Sequence, residues 1–440
     1  MSGSRGTLRE LLRTGAGVAI AMAVMNVGTY GFTLVAARVL GPREYSAVAA
    51  LMGILLIVNV LSVGLQATGA RQVAASPDDR ATIENRVLRT TDRSAWALGA
   101  VCLLLSPVAT VLLDLDSWLP AVLVALTAVP LTKMGGQAGI FQGEKEWAPL
   151  AGIYLGMGLG RLVFGCLGLL VQPDATGAMA GVLVGAVVPV LVGGWALRRR
   201  RGARPGPADV RSVLREVSHN SHALLAFFAL TNADVVLARV TLDSHEAGLY
   251  AGGLILTKAV LFLPQFVVVI AFPSMAAEGA RRMYLKGIGL VFVMGVLATA
   301  GAFVLDGLAV TFVGGAEYAE IRSTVWIFAA LGTVLAMTQV MVYEVVARQH
   351  RRAVYVVWAG LLVLGGLAPL AEHGTALLEI VLAVNVVVLL ALLAVALLRP
   401  ADGDAAADGD AAAPDAAAPG SVGGGVPADA GADRDVERHP

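Results

Sequence analysis

The chain is short of charge. Only 15% of its 440 residues are Asp, Glu, Lys or Arg, while 57% are hydrophobic. A soluble domain carries roughly 25% charged residues, and the mean hydropathy here is +0.75. That balance excludes a soluble globular body. Cysteine is almost absent: Cys102 and Cys166 each lie inside an apolar run. Two such residues exclude a disulfide framework and a zinc spacing, and read as small buried hydrophobes. The six histidines (His219, His222, His245, His350, His373 and His439) form no ligand pattern beyond the His219/His222 pair at a helix start. No metal, nucleophile or cofactor motif is present, so neither an enzyme nor a bound cofactor is expected. The formal net charge is zero, which removes the electrostatic footprint of a nucleic-acid binder. The one basic block, Arg198–Arg201 with Arg204, directly follows an apolar run. There it reads as an orientation signal touching anionic lipid, not as a nucleic-acid site.

What the chain has is length in its apolar runs. A hydrocarbon core of about 30 Å needs roughly 20 apolar residues in a helix. Such runs fall near 15–38, 46–69, 95–114, 118–139, 148–171 and 175–197, then near 221–241, 249–274, 287–312, 319–345, 353–370 and 375–398. The first is too long for a signal-peptide core and reads as a retained helix. The run at 118–139 is interrupted most, by Pro130, Lys133, Gly135 and Gly136. Basic residues test the count. The N-terminus and the loops near 70–94, 140–147, 198–220, 275–287 and 346–353 hold 22 lysines and arginines, against Arg38, Arg43 and Arg322 in the alternate loops. By the positive-inside rule the first set is cytoplasmic, and both termini with it.

The expected organisation is a cytoplasmic N-terminus (1–13), an N-lobe of six helices (14–197), a basic linker (198–220), a C-lobe of six helices (221–398) and a tail (399–440). The tail is Ala-, Asp-, Gly- and Pro-rich, with almost nothing to bury, and is expected to be disordered. The halves echo each other. Ala37-Arg38-Val39 precedes a turn and Glu44-Tyr45; Ala238-Arg239-Val240 precedes a turn, then Glu246 and Tyr250. Six helices per half give both copies the same orientation, a parallel repeat about an axis along the membrane normal.

Several segments carry a resemblance. Asn26-Val-Gly-Thr-Tyr-Gly-Phe-Thr-Leu-Val-Ala-Ala-Arg-Val-Leu-Gly-Pro-Arg-Glu-Tyr45 resembles the opening of polysaccharide flippases of the multidrug/oligosaccharidyl-lipid/polysaccharide (MOP) exporter superfamily. Gly139-Ile-Phe-Gln142-Gly143 resembles that family's turn after the fourth helix. Asn232-Ala-Asp234, with Glu246-Ala-Gly248-Leu-Tyr250, resembles its seventh helix and exit. Phe272-Pro273 and Gly315-Ala-Glu317-Tyr318 fit the end of the eighth and the start of the tenth. The similarity spans residues 1–398. Ser46 stands where a glycine usually follows the tyrosine, and Glu144-Lys145-Glu146-Trp147 is unusually polar for its loop. The resemblance implies an all-α membrane protein of about twelve helices in two pseudo-two-fold-related lobes, like the multidrug and toxin extrusion (MATE) transporters. It also implies that a prenyl-pyrophosphate-linked sugar moves from the cytoplasmic to the outer leaflet of a bacterial inner membrane.

A charge in mid-span costs about 2.5–3.5 kcal/mol even on insertion scales, so each is a functional hypothesis. Counted at 1.5 Å per residue, Arg161, Asp234 and Lys258 lie near the midplane; Lys133 lies in the inner leaflet, and Arg38 and Arg239 in the outer. A pyrophosphate crossing the bilayer needs partners in place of water. Arg161, Lys258 and Lys133 are candidate receptors, with Arg38 and Arg239 near the exit. The plainer alternatives are that Asp234 and Lys258 neutralise each other and that Arg38 and Arg239 snorkel to outer headgroups. Glu344, Glu379 and Asp306 read as interfacial. Asn26, Asn59, Gln66 and Asn385 fit interhelical hydrogen bonds or sugar contacts. Gly152, Gly156 and Gly160 read as a packing stripe.

Cation excess near the midplane suits an anionic lipid headgroup, whereas Asp234 keeps open a drug or metabolite antiporter on the same scaffold. The expected partners are a lipid-linked glycan, membrane lipids and a polysaccharide polymerase or glycosyltransferase, with the chain itself a monomer. Whether H+ or Na+ is coupled is not readable from the residues.

Overall fold

Runs this apolar leave the backbone few ways to satisfy its polar groups inside a bilayer, and the helix is one that needs no partner strand. The computed structural model describes residues 15–75, 79–198, 210–262, 280–347 and 351–397, and all regular structure among them is helical. The helices are α1 (Gly15–Val58), α2 (Val60–Ala75), α3 (Arg80–Leu112), α4 (Leu119–Gly143), α5 (Trp147–Val171), α6 (Ala175–Arg198) and α7 (Val210–Thr241). They continue with α8 (Ser244–Leu261), α9 (Ala280–Val304), α10 (Asp306–Val313), α11 (Val325–Ala347), α12 (Arg351–Leu367) and α13 (Gly374–Leu397). Nine stretches among the described residues are long and apolar enough to cross a membrane; the first, Gly15–Ala75, takes in α1 and α2.

That first stretch reverses direction within itself. Gly41 adopts φ 66°, ψ 174° inside α1, and Pro42 follows. Proline removes a donor and pushes the preceding residue out of helical geometry, and glycine takes the positive φ without steric cost. On either side, α1 packs in opposite senses. Gly28 meets Gly158 and Gly165 meets Phe32, so the first part runs with α5; Ser46 meets Arg239 and Gly53 meets Asn232, so the second runs against α7.

Where described, the expected apolar runs coincide with helix, but helices outlast them. Residues 70–94, expected as a cytoplasmic loop, are largely α2 and α3. The reason is local: Ile83, Val87, Thr91 and Ser94 are buried at helical spacing, and apolarity falls before the helical pattern does. The run at 287–312 is broken at Leu305 into α9 and α10. The segment Ala316–Ser323, expected to open a span, is a 3-10 helix before α11. Residues 210–220 of the expected linker belong to α7. The N-terminus, residues 199–209, Phe272-Pro273 and the tail from 398 lie outside the described residues.

One buried cluster joins the beginning of the chain to its second half, with Phe32, Tyr45, Leu51 and Leu55 against Phe227, Tyr250, Tyr318 and Phe328. A smaller one, with Ile83, Phe141, Ile153 and Tyr154, holds α3 to α6. Large side chains such as Leu104, Val111, Val171, Leu297 and Leu362 are left exposed. In a helix this apolar they form the lipid-facing surface.

The α5–α6 contact depends on glycine. A Cβ at Gly160 would sit 2.7 Å from Gly185 O, and one at Gly181 would overlap Phe164 O. At Gly156 the nearest atoms stand at 3.4 Å, an ordinary contact. Of the three-glycine stripe on α5, Gly160 is therefore the backbone-to-backbone point. Gly181→Ala should destabilise the detergent-solubilised protein by about 1–3 kcal/mol through overpacking, and Gly156→Ala by much less. Thermal denaturation followed by size-exclusion elution compares the two.

Candidate functional site

Arg161 is the fifteenth residue of α5, in the middle of its apolar run. Gly158 and Leu162 on the same helix touch α1 at Met25 and Gly31, and Gly185 of α6 lies against the Arg161 backbone. The residue is 4% exposed. Among the described residues, no hydrogen bond or ion pair forms to its guanidinium. A buried cation without a partner costs several kcal/mol, so this position is not explained by folding.

The next turn of α1 contacts the second half. Tyr30 donates its hydroxyl hydrogen to Ile255 O at 2.9 Å, and its ring stacks on Phe312 and meets Phe262 edge-on. Lys258 lies one turn beyond Ile255 on α8. Adjacent residues of α1, Tyr30 and Gly31, thus bring the levels of Lys258 and Arg161 together.

Asp234 on α7 is 2% exposed. It accepts a hydrogen bond from the Tyr250 hydroxyl at 3.3 Å and from Val235 N at 2.8 Å. Lys258 acts on it electrostatically, yet the pair forms no contact ion pair. The expected Asp234–Lys258 neutralisation is therefore not a direct salt bridge, and the side-chain hydrogen bond to Asp234 comes from a tyrosine. The half-buried Lys258 ammonium has no bonded partner among the described residues.

The other three candidates are engaged. Lys133 on α4 pairs with Asp92 on α3 at 2.8 Å and lies 5.3 Å from the Trp96 ring centroid. Arg38 donates to Thr311 O at 2.9 Å and Phe312 O at 3.4 Å, in the last turn of α10. Arg239 donates to Leu113 O, to Ser46 Oγ and to Asp114 O, at 2.9, 2.9 and 2.8 Å. The six residues therefore do not form one ladder. Among the described residues Arg161 and Lys258 are unbonded, Lys133 is paired with Asp92, and Arg38 and Arg239 hold backbone carbonyls.

The polar in-span residues divide similarly. Gln66 donates to Gln142 Oε1 at 2.9 Å and to Tyr154 Oη at 2.7 Å, which joins α2, α4 and α5. Asn385 turns back to Val381 O on its own helix, not to a neighbour. Asp306 pairs with Arg322 at 3.0 Å beside the α9–α10 break, which fits an interfacial place. Glu379 is exposed, and the Glu344 side chain lies outside the described residues. Asn26 has a partner of its own, and Asn59 Oδ1 is buried and unpaired. Sequence reasoning named Tyr250 as a motif residue but missed its bond to Asp234, and it missed Asp92 as the partner of Lys133. A carboxylate on the helix next to Lys133 was the available signal. Among the described residues, no group of three or more His, Cys, Asp and Glu side chains is placed to hold a metal ion. Tyr250→Phe keeps the ring packed on Phe328 and removes the hydroxyl from Asp234. It should cost about 1–3 kcal/mol, the usual penalty of an orphaned buried polar group, read as a lowered melting temperature in detergent.

A family model described as polysaccharide biosynthesis protein matches residues 14–278. No curated protein sequence matches the chain. Among solved structures, it is similar to an inward-facing multidrug-resistance MATE transporter of the MOP superfamily. That match has TM-score 0.65 and 12% identity, and covers 85% of this chain and 96% of the other. The MATE transporter DinF-BH in complex with R6G aligns at TM-score 0.58 and 12% identity, over 88% and 94%. The eukaryotic MATE transporter AtDTX14 aligns at TM-score 0.51 and 15% identity, over 90% and 96%. With nine stretches among its described residues long and apolar enough to cross a membrane, a fold shared with MATE proteins and the matched family model, the chain belongs to the polysaccharide biosynthesis protein family and is a multi-pass membrane protein.

Proposed function

We propose that this protein is a flippase for a prenyl-pyrophosphate-linked oligosaccharide, which it moves from the cytoplasmic to the outer leaflet of a bacterial inner membrane by alternating access. The observation that carries the proposal is Arg161, a buried guanidinium in mid-span with no partner among the described residues. Its desolvation is offset when an anion arrives, and a diphosphate accepts the paired hydrogen bonds that guanidinium offers. Lys258, near the same level, adds a second positive charge. The membrane potential assists, since each negative charge leaving the cytoplasm gains about 2.3 kcal/mol per 100 mV.

The architecture we infer is twelve spans in two lobes, 14–197 and 221–398, joined by the basic linker 198–220, with both termini cytoplasmic. Two features of the outer face support the repeat. Glu44, Asp114–Ser117 and Asp174–Thr176 line one crevice, and Glu246, Glu320–Ile321 and Gly374–Thr375 line another. Corresponding positions are about 200 residues apart, the spacing of the Arg38 and Arg239 echo, as a parallel duplication requires. The tail 399–440 is read as a passive cytoplasmic extension, the chain as a non-enzymatic monomer, and a polymerase or glycosyltransferase as its partner.

A drug or metabolite antiporter is the second reading. Buried Asp234, bonded to Tyr250, favours it as a carboxylate for cationic cargo or for a coupling H+ or Na+. Deleting the gene and analysing membrane lipids by mass spectrometry separates the two. Accumulation of one prenyl-pyrophosphate sugar supports the flippase; an unchanged lipid profile with new sensitivity to cationic dyes supports the antiporter. Arg161→Ala and Lys258→Ala should each lower export at least about tenfold at normal expression, since a lost charge-assisted contact is worth roughly 1.5–3 kcal/mol. Arg161→Lys should recover only part of it. Full export by both alanine variants would overturn the cationic site.

A further inference from the structure

We infer that Arg38 and Arg239 form a reciprocal clasp that holds the outer seam shut, each arginine capping the carboxyl end of a helix in the opposite half of the chain. The inference rests on the alternating-access reading above. A helix end leaves its last carbonyls without intrahelical donors and carries partial negative charge. Arg239 leaves the end of α7 to reach Leu113 O and Asp114 O, just past the last turn of α3. There Asp114 takes a left-handed φ of 47°, so the helix stops and its carbonyls turn outward. Arg38 leaves the outer end of the first part of α1 and reaches Thr311 O and Phe312 O at the end of α10. The two arginines are equivalent in the repeat, and so are their targets. Helix α3 is the third span of its half, and α9, continued by α10, is the third of the other. The same contact is therefore made twice, in opposite directions across the seam.

Neighbouring contacts close the same seam. The Tyr318 hydroxyl donates to Ala37 O at 3.2 Å. The backbones of Pro42 and Gly248 approach so closely that a Cβ on Gly248 would overlap the Pro42 carbonyl. None of these bonds survives a separation of the two outer halves by a few ångströms.

Ser46 adds a side-chain contact to the clasp. Its hydroxyl accepts from Arg239 Nη1 at 2.9 Å and donates to Arg43 O at 2.6 Å. The glycine that usually follows this tyrosine in the resembling family has no atom to offer there. Ser46 thus fixes the guanidinium plane with which Arg239 meets the end of α3.

The test is a distance measurement across the seam in proteoliposomes. Nitroxide labels at Asp116→Cys and Ala319→Cys, in a chain carrying Cys102→Ala and Cys166→Ala, report the separation of the outer loops. The double variant Arg38→Ala/Arg239→Ala should raise the long-distance population about tenfold, and Ser46→Gly by about two- to threefold. If the double alanine chain does not elute as a monodisperse peak, Arg38→Lys/Arg239→Lys replaces it. That pair keeps both charges, loses the multidentate geometry, and should give a smaller shift in the same direction. Unchanged distances in a folded variant overturn the clasp. So does lost export with unchanged distances, which would make the arginines cargo contacts. A parent that samples two distances in a ratio insensitive to these substitutions overturns the clasp alone. A single distance in parent and variants alike overturns both the clasp and alternating access.

Discussion

Hydrocarbon offers a polar group nothing to bond, and every feature of this protein answers to that fact. The backbone meets it by staying helical. Side chains meet it by turning inward on their own helix: Thr33, Thr127, Thr132, Thr231, Thr333 and Thr338 each donate to the carbonyl four residues back. Such bonds satisfy a hydroxyl but link nothing together. Cohesion between helices comes from apolar packing, from glycine surfaces that admit another backbone, as along α5 and α6, and from a few side-chain bonds such as Gln66 to Tyr154 and Thr257 to Phe328 O.

Against that background the charged groups sort by partner. Lys133 has Asp92, Asp306 has Arg322, and Asp234 has the hydroxyl of Tyr250. Arg38 and Arg239 have carbonyls at helix ends, where a cation meets the negative end of the dipole. These groups are positioned by the fold for reasons the fold itself supplies. Arg161 and Lys258 are different: among the described residues neither has a bonded partner, and Arg161 is the more deeply buried. A residue whose cost is not offset internally points outside the protein, to a ligand that completes it.

The seam between the chain's beginning and its second half uses few specific bonds: the Tyr30 and Tyr318 hydroxyls and the two outer arginines. All four donate to a backbone carbonyl of the other half, and Arg239 donates to the Ser46 hydroxyl as well. A carbonyl on a rigid helix moves only when the whole helix moves. Such bonds break together when the halves separate and are otherwise independent of side-chain rearrangement. That suits the proposed alternating access, in which rigid bundles would move at the surface between them.

The membrane class and the helical fold were legible in the residues, because hydropathy is a one-dimensional property of the chain. Helical rise likewise converts sequence position into an expected depth for Arg161. Helix ends were not legible: the pattern that buries Ile83, Val87 and Thr91 continues after apolarity fades, so α3 begins in an expected loop. Nor was the sorting of the six charges. Depth places a residue along the membrane normal, but which side chain it meets depends on how helices pack and rotate. That packing set Asp92 beside Lys133 and Tyr250 beside Asp234, and among the described residues it gave Arg161 no bonded partner. Sequence gives each charge its depth; only the tertiary structure decides its partner, because a partner is chosen around the helix and depth is measured along it.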